Sequence, residues 1–349
     1  MRLLIVKLSA IGDIIHTLPA LAAIRRALPD AEITWVAEER SSEILRENPM
    51  LDRLIEIDTR SMRGGKVIEE ILLDLSAQVK KVREFKYDVA IDLQGLIKSA
   101  AIARLSGAKK RWGFSKAGLR EPASRMLLTD SVDAPIDVHI IRKNLALAAG
   151  SLNIDVPDRD FEFPIATADN DKTVAEMMAR DAGGRFAILN PAGGWVTKLW
   201  HAEKYGQLAD MLWERDGIAT VVATGPNETE LAERVSSASK TAKLMLAEPT
   251  LKTFYELAKM ATVYVGGDTG PTHLAIAAGA PIVGIFGPTE WWRNGSTDSD
   301  DICVERLDIN CRVDCHRRTC NAWICMDISV ETVYEAVIRR LSSSRLSAS

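Results

Sequence analysis

Short runs of aliphatic and β-branched residues alternate with longer amphipathic stretches along most of the chain. In the first half, Leu3-Leu4-Ile5-Val6 is followed by a helical pattern over residues 14–28, and Ile33-Thr34-Trp35-Val36 by one over 42–47. Leu54-Ile55-Glu56-Ile57 precedes a long polar helical pattern over 66–85, and Val89-Ala90-Ile91-Asp92 precedes one over 96–105. Strands alternating with helices specify a parallel sheet with right-handed crossovers, the doubly wound α/β class.

The rhythm breaks over residues 129–171, which are rich in Asp and Pro around one helical pattern at 139–149. It restarts with Phe186-Ala187-Ile188-Leu189 and a helix over 202–215, then Ala219-Thr220-Val221-Val222-Ala223 and a helix over 228–237. Lys243-Leu244-Met245, a helix over 251–260, Val263-Tyr264-Val265, a helix over 271–278 and Ile282-Val283-Gly284-Ile285 complete the second half. Two such halves predict two Rossmann-like domains facing a cleft, over residues 1–165 and 183–328, with a linker at about 160–182. Residues 329–349 are expected to form a helix packing back towards the first domain, ending in a frayed Ser-rich tail from 342.

Composition narrows the class without naming a function. The 349 residues suffice for two cores, and 47% hydrophobic with 26% charged residues is ordinary for a globular protein. A net charge of −4 lacks the dominant basic face of a nucleic-acid binder, so no nucleic-acid partner is expected. Lys7, Asp13 and His16 interrupt the apolar region that an export signal would need. No window offers the roughly 18 uninterrupted apolar residues of a membrane span. The expected location is the cytoplasm.

The segment Val265-Gly266-Gly267-Asp268-Thr269-Gly270-Pro271-Thr272-His273 carries the sharpest chemistry. A strand ends, glycines permit a tight turn, and a helix begins with Pro271 in its first turn. Free N–H groups and the positive dipole end make that start an anion site at the carboxyl edge of a parallel sheet. Thr269 and Thr272 can donate hydroxyl hydrogen bonds, and His273 sits one turn in, within reach of a diphosphate. The plainer reading is that Asp268 or Thr269 only caps the helix. After the first strand of this half, Asn190-Pro191-Ala192-Gly193-Gly194-Trp195-Val196-Thr197-Lys198 combines small residues with a compact positive charge. Lys198 is either a phosphate ligand or an ordinary surface lysine. In Thr224-Gly225-Pro226-Asn227-Glu228, the glutamate either accepts from ribose hydroxyls or decorates the next helix.

In the first half, Lys7-Leu8-Ser9-Ala10-Ile11-Gly12-Asp13 occupies the equivalent strand-to-helix turn. A carboxylate there can take the proton of an attacking hydroxyl, although Asp13 as a helix cap is the commoner fate of such a residue. Asp92-Leu93-Gln94-Gly95-Leu96 follows the fourth strand, and Arg60, Arg63, Lys66, Arg120, His139, Arg142 and Lys143 add polar groups on the same half. Clustered arginines suit carboxylate or phosphate, and otherwise form a solvated face.

Of five cysteines, four fall in Cys311-x3-Cys315-x4-Cys320-x4-Cys325. The spacing is not that of Cys-x2-Cys pairs. The four are either a structural Zn²⁺ or iron site or reduced free thiols, and neither reading gives them a part in catalysis.

Taken together, these loops resemble glycosyltransferase family 9, the ADP-heptose:lipopolysaccharide heptosyltransferases, from Met1 to about Val333. The residues that carry the resemblance are Val6-Lys7-Leu8-Ser9-Ala10-Ile11-Gly12-Asp13, Asp92-Leu93-Gln94-Gly95-Leu96, Gly267 to His273 and Gly284-Ile285-Phe286-Gly287-Pro288-Thr289. The run from Gln94 to Ala100 and Arg120-Glu121-Pro122 are most similar to the heptosyltransferase I branch, which acts on a Kdo residue. The resemblance implies a GT-B fold and inverting transfer of L-glycero-D-manno-heptose from ADP-heptose to a Kdo-lipid A type acceptor, with no cofactor. It implies Asp13 as general base, Lys198, Glu228, Asp268, Thr269, Gly270, Thr272 and His273 on the donor, and Arg60, Arg63, Gln94, Arg120 and His139 on the acceptor. It also implies peripheral contact with the cytoplasmic face of the inner membrane, for which Lys109-Lys110-Arg111 and Trp112 are candidates. The cysteine cluster departs from the best-known first heptosyltransferase, whereas a protein-glycosylating branch carries metal-binding cysteines and keeps that acceptor class open.

Two other classes compete. A dinucleotide oxidoreductase would need Gly-x-Gly-x-x-Gly after the first strand, where only Gly12 stands. A non-catalytic sugar-nucleotide binder would keep the Asp268 loop yet dispense with Asp13. A different donor or acceptor within the same family also stays open.

Overall fold

The structure, a computed structural model, describes residues 1–58, 80–241, 243–313 and 315–346. The chain divides into two compact units, Met1–Ala166 and Thr167–Ser349. The first holds six strands, β1 (Arg2–Val6), β2 (Glu32–Glu38), β3 (Arg53–Ile57), β4 (Val89–Asp92), β5 (Lys110–Phe114) and β6 (Asp130–Val132). They form one parallel sheet in the order β3-β2-β1-β4-β5-β6. The second unit repeats the plan with β7 (Phe186–Asn190), β8 (Ala219–Ala223), β9 (Leu244–Ala247), β10 (Val263–Gly267), β11 (Ile282–Ile285) and β12 (Ile302–Val304). Their order is β12-β11-β10-β7-β8-β9, again parallel. Each is a doubly wound Rossmann-like sheet of the GT-B kind. Leu3, Leu4, Ile5 and Val6 are fully buried, as are Ala187, Ile188 and Leu189, because helices cover both faces.

The strand order reverses between β1 and β4 in one unit and between β7 and β10 in the other. At such switch points the loops leaving the carboxyl ends splay apart and open a crevice. Val6 pairs with Asp92, and Gly266 with Asn190. That register sets the loop after Val6 beside the loop after Asp92, and the Lys198 loop beside the Asp268 loop. All four of these loops were singled out by sequence.

Several expected elements change. The helix expected over 14–28 is two, Ile11–Ile15 and Leu18–Ala27, the second starting with Pro19 in its first turn. Residues 42–47 form no α-helix but one short 3-10 turn, Glu43–Leu45, which follows another at Glu39–Ser41. Most of the helix expected over 66–85 lies outside the described residues, as do Arg60, Arg63 and Lys66; residues 80–83 are helical. β5, β6 and β12 carry too few aliphatic residues to stand out by pattern.

The linker expected at 160–182 contains the helix Asp169–Asp181, which belongs to the second unit. Its Ala175 is fully buried, and its Asp171 accepts from the Thr253 hydroxyl at 2.9 Å on the helix Leu251–Met260. The final helix, Val330–Leu346, runs through Ser342 and Ser343 rather than fraying there. Its apolar face, Val333, Ala336 and Val337, is buried in the core of the second unit. Arg340 adds a 2.7 Å ion pair to the buried Asp301. Among the described residues, no helix is long and apolar enough to cross a membrane.

Candidate functional site

In the first unit the two adjacent loops are stitched together. Lys7, almost wholly buried, donates from Nζ to the Leu93 carbonyl at 2.9 Å and lies 3.9 Å from Asp13 Oδ1. The Gln94 Oε1 accepts from the Leu8 N–H at 2.9 Å and the Ser9 N–H at 3.3 Å, while Nε2 donates to the Ser9 carbonyl at 2.7 Å. Beneath them, Asp92 Oδ1 accepts from the N–H groups of Gln94 (3.0 Å) and Gly95 (3.1 Å), and Gly95 turns the chain at φ +74°. Asp92 is fully buried, and burial pushes its carboxyl up to about 6 against those hydrogen bonds and the Lys7 charge.

Asp13 rides on this scaffold. It sits in the first turn of the helix Ile11–Ile15, behind Ala10, and its Oδ2 accepts the Ala10 N–H at 3.1 Å. Its side chain is 44% exposed. Ala10, not Asp13, is the N-cap residue; Asp13 sits three positions on and steadies the helix start through one oxygen while its carboxylate stays solvent-accessible.

The residues expected on the acceptor fare differently. Arg120 is exposed on a loop docked against Gly95, where the Glu121 N–H meets the Gly95 carbonyl at 3.4 Å. Glu121 also accepts the Ile97 N–H at 2.7 Å and so starts the helix Ile97–Leu105. His139 is instead buried as the cap of the helix Ile140–Leu152, with Nδ1 accepting from the Ile141 N–H at 3.2 Å. Its ring meets His16 edge-on at 5.6 Å, and Asn144 ties the same turn by donating to the His16 carbonyl at 3.0 Å. Gln94 has turned its amide onto its own chain. Of the membrane candidates, Lys109 and Lys110 are exposed, but Arg111 donates to the Ala108 and Leu127 carbonyls and Trp112 is half-buried within β5.

In the second unit, Asp268 stands between Lys198 and His273. Its Oδ2 lies 2.6 Å from Lys198 Nζ and its Oδ1 3.1 Å from His273 Nε2. Burial alone would raise its carboxyl, yet the hydrogen bonds and charges of His273 and Lys198 hold it well below the usual carboxylate range. The cluster sits at the start of the helix Gly270–Ala277, whose early N–H groups face the carboxyl end of β10. Gly267 makes the closeness possible: a Cβ there would stand 3.1 Å from the Lys198 carbonyl. Lys198 Nζ also lies 4.4 Å from the Trp195 ring centroid. Thr269, half-buried, is the N-cap residue, and its hydroxyl pairs with that of Thr272 at 3.1 Å. Thr272 is fully buried, bonding the Gly267 carbonyl and the Tyr264 hydroxyl, and braces the turn. Glu228 closes its own turn by accepting the Gly225 N–H at 2.6 Å.

Cys311, Cys315, Cys320 and Cys325 line one cavity of about 380 Å³ together with Thr197, Val313, Ala322, Trp323 and Ile324. All four are free thiols, and among the described residues no group of three or more Cys, His, Asp or Glu is arranged to hold a metal ion. The Zn²⁺ or iron site expected at these cysteines thus finds no support among the described residues. Burial, then the neighbouring Cys315 thiol, pushes the Cys325 thiol up. The same segment grips the Lys198 loop. The Thr197 hydroxyl donates to the Arg317 carbonyl at 2.6 Å, and the Trp323 indole donates to the Thr197 carbonyl at 3.0 Å. Sequence had not tied these cysteines to Lys198, because nothing in their spacing names Thr197 as their neighbour.

Residues 76–323 match the model of glycosyltransferase family 9 (heptosyltransferase). The chain is 30% identical to lipopolysaccharide heptosyltransferase 1 of Pseudomonas aeruginosa over 92% of its own length and 87% of that protein. Among solved structures, Escherichia coli heptosyltransferase WaaC with ADP is 27% identical, with a TM-score of 0.74 over 87% of this chain and 92% of that one. WaaC with ADP-2-deoxy-2-fluoro heptose aligns over 99% and 100% of the two chains at 24% identity and a TM-score of 0.76.

Proposed function

The chain belongs to glycosyltransferase family 9 and is a heptosyltransferase, and from that premise we propose that it moves L-glycero-D-manno-heptose from ADP-heptose to a Kdo residue of the lipopolysaccharide inner core. The observation that carries the donor half is the Lys198–Asp268–His273 cluster at the start of the helix Gly270–Ala277. A nucleoside diphosphate is the anion this combination suits: a compact ammonium, helix N–H groups and a glycine turn that lets backbone approach. Thr269 and Gly270 lie at the same helix start, and Glu228 keeps one carboxylate oxygen for a ribose hydroxyl.

The acceptor hydroxyl loses its proton to the exposed Asp13 carboxylate as its oxygen attacks the anomeric carbon. The bond from that carbon to the diphosphate oxygen breaks in the same displacement, so configuration inverts and ADP leaves. Lys198 and the helix N–H groups meet the charge that grows on the departing diphosphate, which lets the transfer run without a metal cofactor. Arg120, with Arg63 and Arg60, supplies charge for the anionic acceptor. Because that acceptor is a lipid, the enzyme works as a peripheral protein at the cytoplasmic face of the inner membrane, with Lys109 and Lys110 as exposed basic contacts.

Purified protein with a Kdo-terminated acceptor and a panel of nucleotide sugars tests this. Transfer from ADP-heptose is expected, falling by orders of magnitude in Asp13→Ala while ADP still binds. Undiminished turnover in that variant would remove Asp13 as the base, and transfer only from another donor or to a protein would redirect the substrate assignment.

A further inference from the structure

Gln94 can make at most four hydrogen bonds, two as donor and two as acceptor. Three are already made to the backbone of Leu8 and Ser9. Its own N–H is held by the buried Asp92 carboxylate at 3.0 Å. The side chain is thus fixed at its root by one strand end and clamps the loop leaving the neighbouring strand. That loop continues through Ala10, whose N–H bonds the Asp13 carboxylate at 3.1 Å. Without Gln94, the N–H groups of Leu8 and Ser9 would lose their acceptor, as the strand pairing of β1 ends before them. The half-buried setting gives water poor access to replace it.

We infer that Gln94 is a positioning residue for glycosyl transfer: its carboxamide sets the Leu8–Ser9 backbone and through it the place of the Asp13 carboxylate. The inference rests on the reading of Asp13 as the base. It differs from direct acceptor contact, the role first expected for Gln94, in what it does to the kinetics. A positioning residue acts on the step in which the proton moves, so its loss lowers kcat. An acceptor ligand acts on binding, so its loss raises the acceptor KM. A displacement of the base by about 1 Å is worth on the order of a hundredfold in rate.

The test uses the full-length enzyme. Gln94→Met keeps the volume and deletes all three hydrogen bonds; Gln94→Glu keeps acceptors for Leu8 and Ser9 and deletes the donor to the Ser9 carbonyl. The expected result for Gln94→Met is a kcat lower by about a hundredfold at unchanged acceptor KM. Its amide hydrogen exchange at Leu8 and Ser9 should be at least about tenfold faster, since those N–H groups lose their only acceptor among the described residues. Gln94→Glu should recover part of the lost kcat. Exchange at Leu8 and Ser9 equal to that of wild type would overturn the inference, without reference to any substrate. So would a raised acceptor KM at wild-type kcat. If Gln94→Met does not fold, Gln94→Glu decides by the same split between kcat and acceptor KM. Asp13→Ala run alongside keeps the two readings apart: full turnover there sinks the base itself, whatever Gln94 does.

Discussion

Lys198 Nζ lies 2.6 Å from Asp268 Oδ2, so the cation proposed to meet the donor is already paired with a carboxylate of its own unit. The pair is shared with His273, which holds the other oxygen of Asp268 at 3.1 Å. Such an arrangement keeps Lys198 in one place without a ligand. On the proposed donor reading, a diphosphate at the helix start would meet a pre-oriented ammonium and a network whose negative member stays ionised.

Breaking that pair from the lysine side leaves a buried carboxylate with one partner fewer. Lys198→Met should cost on the order of 3 kcal/mol in unfolding free energy and weaken ADP binding at least about tenfold. Urea unfolding and calorimetric titration with ADP check both. Because Asp268 is held below the ordinary carboxylate range, its contribution to stability is present above pH 4 or so and fades as the pH falls further. The variant should lose less on acidification than the wild type.

Asp92 has the opposite sign. Its carboxyl is raised from 3.8 to about 6 by burial, so the folded state holds the proton more tightly than the unfolded one. Stability from this group therefore declines as the pH rises from 3.8 through about 6, by up to about 3 kcal/mol. Asp92→Asn keeps an acceptor for the Gln94 and Gly95 N–H groups and removes the charge. The difference in Tm, variant minus wild type, should grow more positive between pH 4 and pH 7; a flat difference would contradict the assignment.

His139 caps a helix and packs against His16. His139→Ala should cost about 1–2 kcal/mol, while His139→Asn, a good cap, should recover roughly half. Neither should change the acceptor KM by more than about twofold, since the ring is buried. A large rise in KM in both variants would restore His139 as a ligand.

Thr197 joins the cysteine-lined segment to the Lys198 loop through its hydroxyl, 2.6 Å from the Arg317 carbonyl. Thr197→Val keeps the shape and deletes that bond, at a cost of about 1 kcal/mol. If the segment steadies Lys198, ADP affinity should fall several-fold in the same variant. Unchanged affinity would confine the bond to stability.

Much of the architecture could be read in advance because it rests on local signals. Four-residue apolar runs separated by helical periodicity specify parallel strands, and glycines with Pro271 mark a helix start wherever it lies. The Asp268, Lys198 and Asp13 loops were identifiable for the same reason: strand-to-helix turns at carboxyl edges are where α/β sheets place chemistry. Elements with mixed composition were not legible. β5 is Lys110-Arg111-Trp112-Gly113-Phe114, a strand only because β4 and β6 flank it.

Residue type and order thus determined the fold class and the residues worth watching. Tertiary structure decided what each of those residues does. A polar side chain serves a ligand or its own backbone according to which loops the sheet register sets side by side. Gln94 and Leu8 are 86 positions apart, and only the pairing of Val6 with Asp92 makes them neighbours. Thr272, His139 and Gln94 were drawn inward because an unpaired N–H or carbonyl in a buried turn is costly. Asp13 stayed exposed, held only at its edge by the Ala10 N–H and the Lys7 ammonium.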